Sequence, residues 1–273
     1  MATIAREYQT ETAENATDNT FRNLRIFNAV MGVIHTIQAV LMVILSTDFA
    51  IPITTQFLEF DQSRPQGQQI FPNMQEAFDV QMAPFIASFL AMSAIAHFLI
   101  AGPLFERYKD MLKQEVNFFR WYEYALSSSV MIVALAMFVG ISDIAALLAI
   151  FAANAAMNLF GLLMESMNRF TRETDWTAYT FGCIVGIIPW IGIALYLFGA
   201  LSNADATIPN WVIPAFISIF VFFNSFAINM FLQYKEIGPW KNYLFGERGY
   251  IVLSLLAKSA LAWQVYSGTL AGA

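Results

Sequence analysis

A single lysine, Lys258, stands in the otherwise apolar or weakly polar stretch "YIVLSLLAKSALAWQVYSG" that runs from Tyr250 to Gly268. A primary amine in such a setting can pair with a buried carboxylate, persist uncharged in a watery cavity, or condense with an aldehyde to a Schiff base. Glu123 is the candidate partner. In "FRWYEYALSSS", Arg120, Glu123 and Ser127 fall at helical offsets of three and four, on one face. Ser254 precedes Lys258 by one turn and points at the same pair. The competing reading for Glu123 is an interfacial ion pair with Arg120. His35 in "VIHTIQ" and His97 in "IAHFLI" read singly as hydrogen-bonded core histidines, and together as part of a polar cluster with Glu123. No His-x-x-x-His or Cys/His spacing is present, so no metal site is expected, and Cys183 is the lone cysteine.

These groups must be positioned by membrane helices. Of the 273 residues 58% are hydrophobic and only 12% charged, against about 25% charged in a soluble domain. The net charge of -6 comes from loops and a polar head, and marks no nucleic-acid partner. Seven segments are long and apolar enough to span a bilayer as helices: 26–46, 83–102, 118–140, 144–164, 177–199, 211–233 and 250–267. The chain therefore reads as an all-α membrane protein, a bundle of seven transmembrane helices. A polar tail is expected over 1–20 and the membrane domain over 21–273, with no secretory signal before the first span. Arg6, Arg22, Arg25, Arg107, Lys109, Lys113, Arg120, Arg169, Arg172, Lys235, Lys241 and Arg248 lie on the side of the N-terminus; Arg64 alone lies opposite. That bias orients the N-terminus to the cytoplasm and the C-terminus outside, in a multi-pass protein of the cell membrane. The connection 47–82 is too long for a plain linker. Its Phe57, Leu58, Ile70 and Phe71 suggest that part of it folds back as an external cap, a hairpin being one form.

Aromatic and small residues complete a pocket for a flat, elongated apolar ligand. Trp190 follows Pro189 in "GIIPWIG"; Phe223 lies in "FVFFNSF"; Trp263 follows Lys258 at five residues; Met157 and Gly161 share a face in "NAAMNLFG". Each alone is better explained by packing than by binding. A lysine Schiff base beside a carboxylate and under aromatic rings makes a protonated retinylidene chromophore, and seven helices with that lysine on the seventh are the rhodopsin arrangement.

The chain resembles the heliorhodopsins, rhodopsins with a cytoplasmic N-terminus. The resemblance is strongest in "FFRWYEYALSSSVMIV", "GISDIAALLAIF", "FGCIVGIIPWIG", "FFNSFA" with "LQYK", and "GERGYIVLSLLAKSALAWQ". It implies all-trans retinal on Lys258, Glu123 as counterion, and Ser254 and Ser127 tuning the pair. It implies an inner polar cavity with His35, His97 and Ser93, and a pocket lined by Met157, Gly161, Pro189, Trp190 and Phe223. Asn117, Arg120, Tyr124, Asn154 and Glu165 become supporting polar positions. A homodimer in membrane lipid, with the 47–82 segment over the external face, is implied too.

Light is then expected to isomerise retinal to 13-cis, with loss of the Schiff-base proton and a slow return. Between Lys258 and the outer surface no carboxylate lies within a span; Asp143 in the turn after the third span is the first. A proton has resting places inside and no evident exit outside, which favours a photosensor acting on a cytoplasmic signalling or enzyme partner, and not itself an enzyme. A light-driven or light-gated ion transporter, and a light-regulated membrane subunit of an enzyme assembly, remain the alternatives.

Overall fold

The computed structural model describes residues 16–203 and 209–271. Most of the expected polar tail, residues 1–15, lies outside the described residues. The first helix, α1 (Asp18–Leu45), starts eight residues before the expected span. Thr17 is the reason: its Oγ1 accepts from the Thr20 backbone N–H and caps the helix. The remaining long helices are α2 (Met82–Ala101), α4 (Phe118–Phe138), α5 (Ile144–Asn168), α6 (Thr177–Ser202), α7 (Val212–Tyr234) and α8 (Tyr243–Val265). Asn117, Asp143 and Asn242 cap α4, α5 and α8 with side-chain oxygens. Six of the seven long helices are apolar enough to cross a membrane on length and composition. The exception is α8, which carries Glu247, Arg248 and Lys258 and begins seven residues before the expected 250.

A short helix, α3 (Phe105–Lys113), occupies the connection between the second and third expected spans. It buries Tyr108, Met111 and Leu112, at i, i+3 and i+4, and its Lys109 Nζ lies 2.9 Å from Asp18 Oδ1 on α1. All these features sit at the basic end of the bundle.

The opposite end corrects the all-α expectation. The 47–82 segment forms two strands, β1 (Ala50–Phe60) and β2 (Ile70–Gln81), paired antiparallel from Ala50↔Gln81 to Phe60↔Ile70 with a bulge at Ile53/Thr54. The sequence "AIPITTQFLEF" is rich in β-branched and aromatic residues, and "DQSRPQGQQ" turns the chain, with Gly67 at φ +89° where a side chain would be strained. The alternation of strand side chains collects Leu58, Phe60, Ile70 and Met74 on one face, and all four are exposed. The hairpin root is pinned to the α4–α5 turn: Thr54 N donates to Ser142 O at 2.9 Å, and the two hydroxyls lie 3.0 Å apart. Beside it, Thr47 N donates to Leu270 O at 2.9 Å, joining the end of α1 to the turn after α8.

Neighbouring helices pack as α1 on α2, α2 on α4, α4 on α5, α5 on α6, and α7 on α8, with α8 returning to α1. By contrast α6 and α7 make few close backbone approaches. The core includes Phe89, Leu90, Met131, Ile132, Leu135, Ile219 and Leu261, all buried.

Candidate functional site

Lys258 projects from the middle of α8 into the bundle, and its side chain is only 3% exposed. A buried ammonium costs several kcal/mol unless it is paired and hydrogen-bonded. Here Nζ lies 3.0 Å from Glu123 Oε1 on α4 and 2.8 Å from Ser254 Oγ one turn earlier. Glu123 Oε1 also accepts from Ser93 Oγ of α2 at 2.6 Å. Ser127 follows Glu123 by one turn on the same helix and is fully buried. The Tyr124 ring lies 5.2 Å from Nζ, and its hydroxyl donates to Tyr250 O at 2.9 Å, which holds the ring in place.

An apolar slot leads away from the amine. A cavity of about 40 Å³ beside Lys258 is lined by Met131, Met157, Phe223, Phe226 and Ser128, among others. It shares Met157, Asn158, Phe223 and Phe226 with a cavity of about 140 Å³ that reaches Trp190, Gly161 and Gly186. A Cβ on Gly161 would overlap the Trp121 ring, and one on Gly186 would overlap the Met157 thioether. Both glycines are therefore required for the wall to form as it does. The Phe216, Phe220 and Phe223 rings stand edge-on to Trp190 at 5.1 to 5.7 Å. An amine with a carboxylate at one end, and a narrow slot walled by methionine, glycine and aromatic rings at the other, fits a long flat apolar aldehyde.

Other expected pocket residues lie elsewhere. Pro189 is buried inside α6 next to Trp190 and lines neither cavity. Asn154 donates to Ser128 Oγ at 2.8 Å and Ser129 Oγ at 3.0 Å, which ties α5 to α4 behind the slot; Asn158, one turn on, is the residue that lines it. Trp263 is not in the lining of either cavity. Five residues at 100° each carry it to the far side of α8 from Lys258, where its Nε1 donates to Gln38 Oε1 at 3.1 Å.

Toward the basic end a small cavity of about 30 Å³, lined by Asn28, Ser93, His97, Asn117, Arg120, Glu123 and Glu247 among others, joins the Lys258 pair to a second charged cluster. His97 Nδ1 lies 2.8 Å from Asn28 Oδ1, and its ring stacks on His35 at 5.6 Å. Both ring nitrogens of His35 are buried without a hydrogen-bond partner among the described residues. Arg120 forms ion pairs with Glu165 and Glu247, not with Glu123. Counted with the basic residues on the side of the N-terminus, it is 5% exposed. Asn117 supports both acids, its N–H donating to Glu165 at 2.9 Å and its Nδ2 to Glu247 at 2.8 Å. The Tyr108 hydroxyl of α3 donates to Glu247 at 2.8 Å. Burial, with Glu247 beside it, pushes the Tyr108 phenol up and keeps it a donor.

Glu247 and Asn28 escaped the sequence reading, since both were left outside or at the edge of the expected spans. The signal was available as spacing. Glu247 stands seven residues before Ser254 and eleven before Lys258, and Asn28 seven before His35, each on the same helical face as the residue that had drawn notice.

A family model described as heliorhodopsin matches residues 24–270. None of the curated proteins matches the chain. A match across nearly all of the chain, with six helices apolar enough to cross a membrane, makes this a multi-pass membrane protein that senses light with retinal: the chain belongs to the heliorhodopsin family.

Proposed function

We propose that Lys258 holds all-trans retinal as a protonated Schiff base with Glu123 as its counterion, and that the protein is a slow photosensor that does not pump protons. The observation that carries this is the 3.0 Å approach of Lys258 Nζ to Glu123 at the closed end of the apolar slot. Retinal, when bound, supplies absorption of visible light and a light-driven change of shape from all-trans to 13-cis.

The rest is the work of the chain. Glu123 compensates the positive charge on Nζ, while Ser254 and Ser93 hold amine and carboxylate at fixed distance. Trp190, Phe223 and Met157 exclude water and confine the far end of the ligand. A proton leaving Nζ finds Glu123 first, and then the His97–Asn28 pair toward the basic end. In the other direction it meets an indole and amides: Trp263 with Gln38, and Gln264 with Ser218. Asp143, the first carboxylate on that side, already accepts from Ala146 N at 3.0 Å as the cap of α5. This asymmetry supports a switch whose proton is stored and returned on one side. The excess of Lys and Arg at the basic end supports a cytoplasmic N-terminus and an output to a cytoplasmic signalling or enzyme partner. Exposure of Leu58 (76%), Phe60 (66%), Ile70 (66%) and Met74 (63%) on one hairpin face supports a homodimer formed at the outer end.

The test is to add all-trans retinal to apoprotein. A visible band is expected that is lost in Lys258→Ala and strongly shifted in Glu123→Gln, and illuminated cells should show no sustained pH change that an uncoupler abolishes. Retention of the band in Lys258→Ala, or such a pH change, overturns the corresponding half of the proposal.

A further inference from the structure

The 140 Å³ cavity is longer than the part of it that faces the Lys258 slot. Along α6 its wall runs from Ala178 to Trp190, twelve residues or about 18 Å at 1.5 Å each. About 12 Å of it, from Ala178 to Gly186, lies on the basic side of the Trp190 end of the retinal slot, most of one leaflet of a bilayer core about 30 Å thick. Only Met157, Asn158, Phe223 and Phe226 also border the cavity beside Lys258. The stretch nearer the basic end, walled by Ala178, Tyr179, Gly182, Cys183, Ala227 and Met230, does not. It lies in the seam where the α6 and α7 backbones stand apart and meet through side chains, Tyr179 Oη donating to Ala227 O at 3.2 Å, and Ile187, which lines the same cavity, is exposed. A groove opening sideways among such residues faces hydrocarbon, and an apolar chain fills it with less loss of dispersion contact than a void.

The mouth of the groove is built differently. Tyr179 stands edge-on to Trp176 at 5.4 Å, and Trp176 in turn packs against Phe231 at 5.5 Å and Tyr234 at 6.2 Å. Lys235 Nζ lies 5.1 Å from the Trp176 ring. It is exposed and forms no salt bridge among the described residues. Tryptophan and tyrosine above an apolar groove, with a free ammonium beyond them, are the sequence of chemistries met along a phospholipid from chain to headgroup.

We infer that the α6–α7 groove binds one acyl chain of a phospholipid from the leaflet at the basic end, with the lipid phosphate on Lys235. The site lies beyond the retinal slot and does not depend on the Lys258 linkage. Groove length, aromatic rim and unpaired cation each select a different part of the same molecule.

The test uses retinal-loaded protein in nanodiscs of equal parts phosphatidylglycerol and phosphatidylcholine, followed by native mass spectrometry of the released protein. One phospholipid per chain is expected to stay bound, with phosphatidylglycerol preferred. Ala227→Phe, which fills the groove, should remove it. Lys235→Ala, at an exposed position that leaves the fold intact, should cut the preference for phosphatidylglycerol about fivefold, the effect of one cation near a membrane surface. The visible band, recorded on the same samples, reports folding and chromophore separately. The inference is overturned if wild-type protein with a normal band retains no lipid, if retention survives Ala227→Phe, or if Lys235→Ala leaves the headgroup preference unchanged. Absence of the band in wild type would count against the retinal proposal instead.

Discussion

Replacing Arg120 with methionine leaves Glu165 and Glu247 facing one another at the basic end without their shared cation. Methionine matches the length of the aliphatic stem, so the change isolates the guanidinium. Arg120 touches both acids, and all three side chains are nearly inaccessible: 4% for Arg120 and 2% for each glutamate. Removing one partner of a buried ion pair costs about 3–5 kcal/mol, most of it from stranding the charge left behind. Asn117 and Tyr108 still donate to the acids, so the lower half of that range applies, about 3–4 kcal/mol. At roughly 2–4 °C per kcal/mol for a chain of this size, the thermal midpoint should fall by about 6–16 °C. The assay is loss of the visible retinal band on heating at a fixed scan rate. The decisive control is the triple variant Arg120→Met, Glu165→Gln, Glu247→Gln, in which no carboxylate remains to be stranded. It should recover most of the loss, because amides accept the Asn117 and Tyr108 hydrogen bonds without charge. A single variant within about 2 °C of wild type, or a triple variant as unstable as the single one, would refute the view that Arg120 neutralises these acids.

Gly161→Leu drives a side chain into the Trp121 ring; a loss of about 1–3 kcal/mol and a displaced or missing visible band are expected, read by heating and absorption. Leu58→Glu with Met74→Glu introduces charge on the apolar hairpin face and should shift the protein from dimer to monomer in light scattering, with the band unchanged. Hydrogen bonds from Thr177 hold the Asp175 carboxyl below its ordinary range at the start of α6. A lowered folded-state value stabilises the helix start above the unfolded-state pKa of about 4 and loses that support as pH falls through the lowered value. Amide exchange in the first turn of α6 should therefore quicken in acid, and Asp175→Asn should abolish that pH dependence.

Much of the bundle was legible because membrane helices announce themselves by composition: a run of apolar residues of bilayer length admits few other structures. The expected spans and observed helices differ chiefly at the ends, where Thr17 and Asn242 cap earlier than hydropathy predicts. Lys258, Glu123 and Ser254 were legible for a related reason, since a charge in hydrocarbon must find a partner and helical spacing limits the choices. What stayed hidden were residues that looked like interface. Glu247 sits where water was expected, and the fold of α3 over it, through Tyr108, makes it interior. Trp263 shows the limit of nearness in sequence: five residues rotate it about 140° around α8 from Lys258, toward Gln38. The hairpin was legible as an anomaly of length whose apolar residues suggested a folded-back cap, while its register was not, since its pairing partner is its own other half.

The attachment of Thr54 to Ser142 has a mechanical consequence. A loop held only at its two ends would follow α1 and α2 wherever they went. Pinned at its root to the turn between α4 and α5, and flanked by the Thr47–Leu270 tie to the end of α8, the hairpin acts as a bracket across the outer ends of five helices. Those ends become a common fulcrum. If retinal on Lys258 moves α8, such a fulcrum would lever the displacement toward the free arms of the helices, at the end where the basic residues gather.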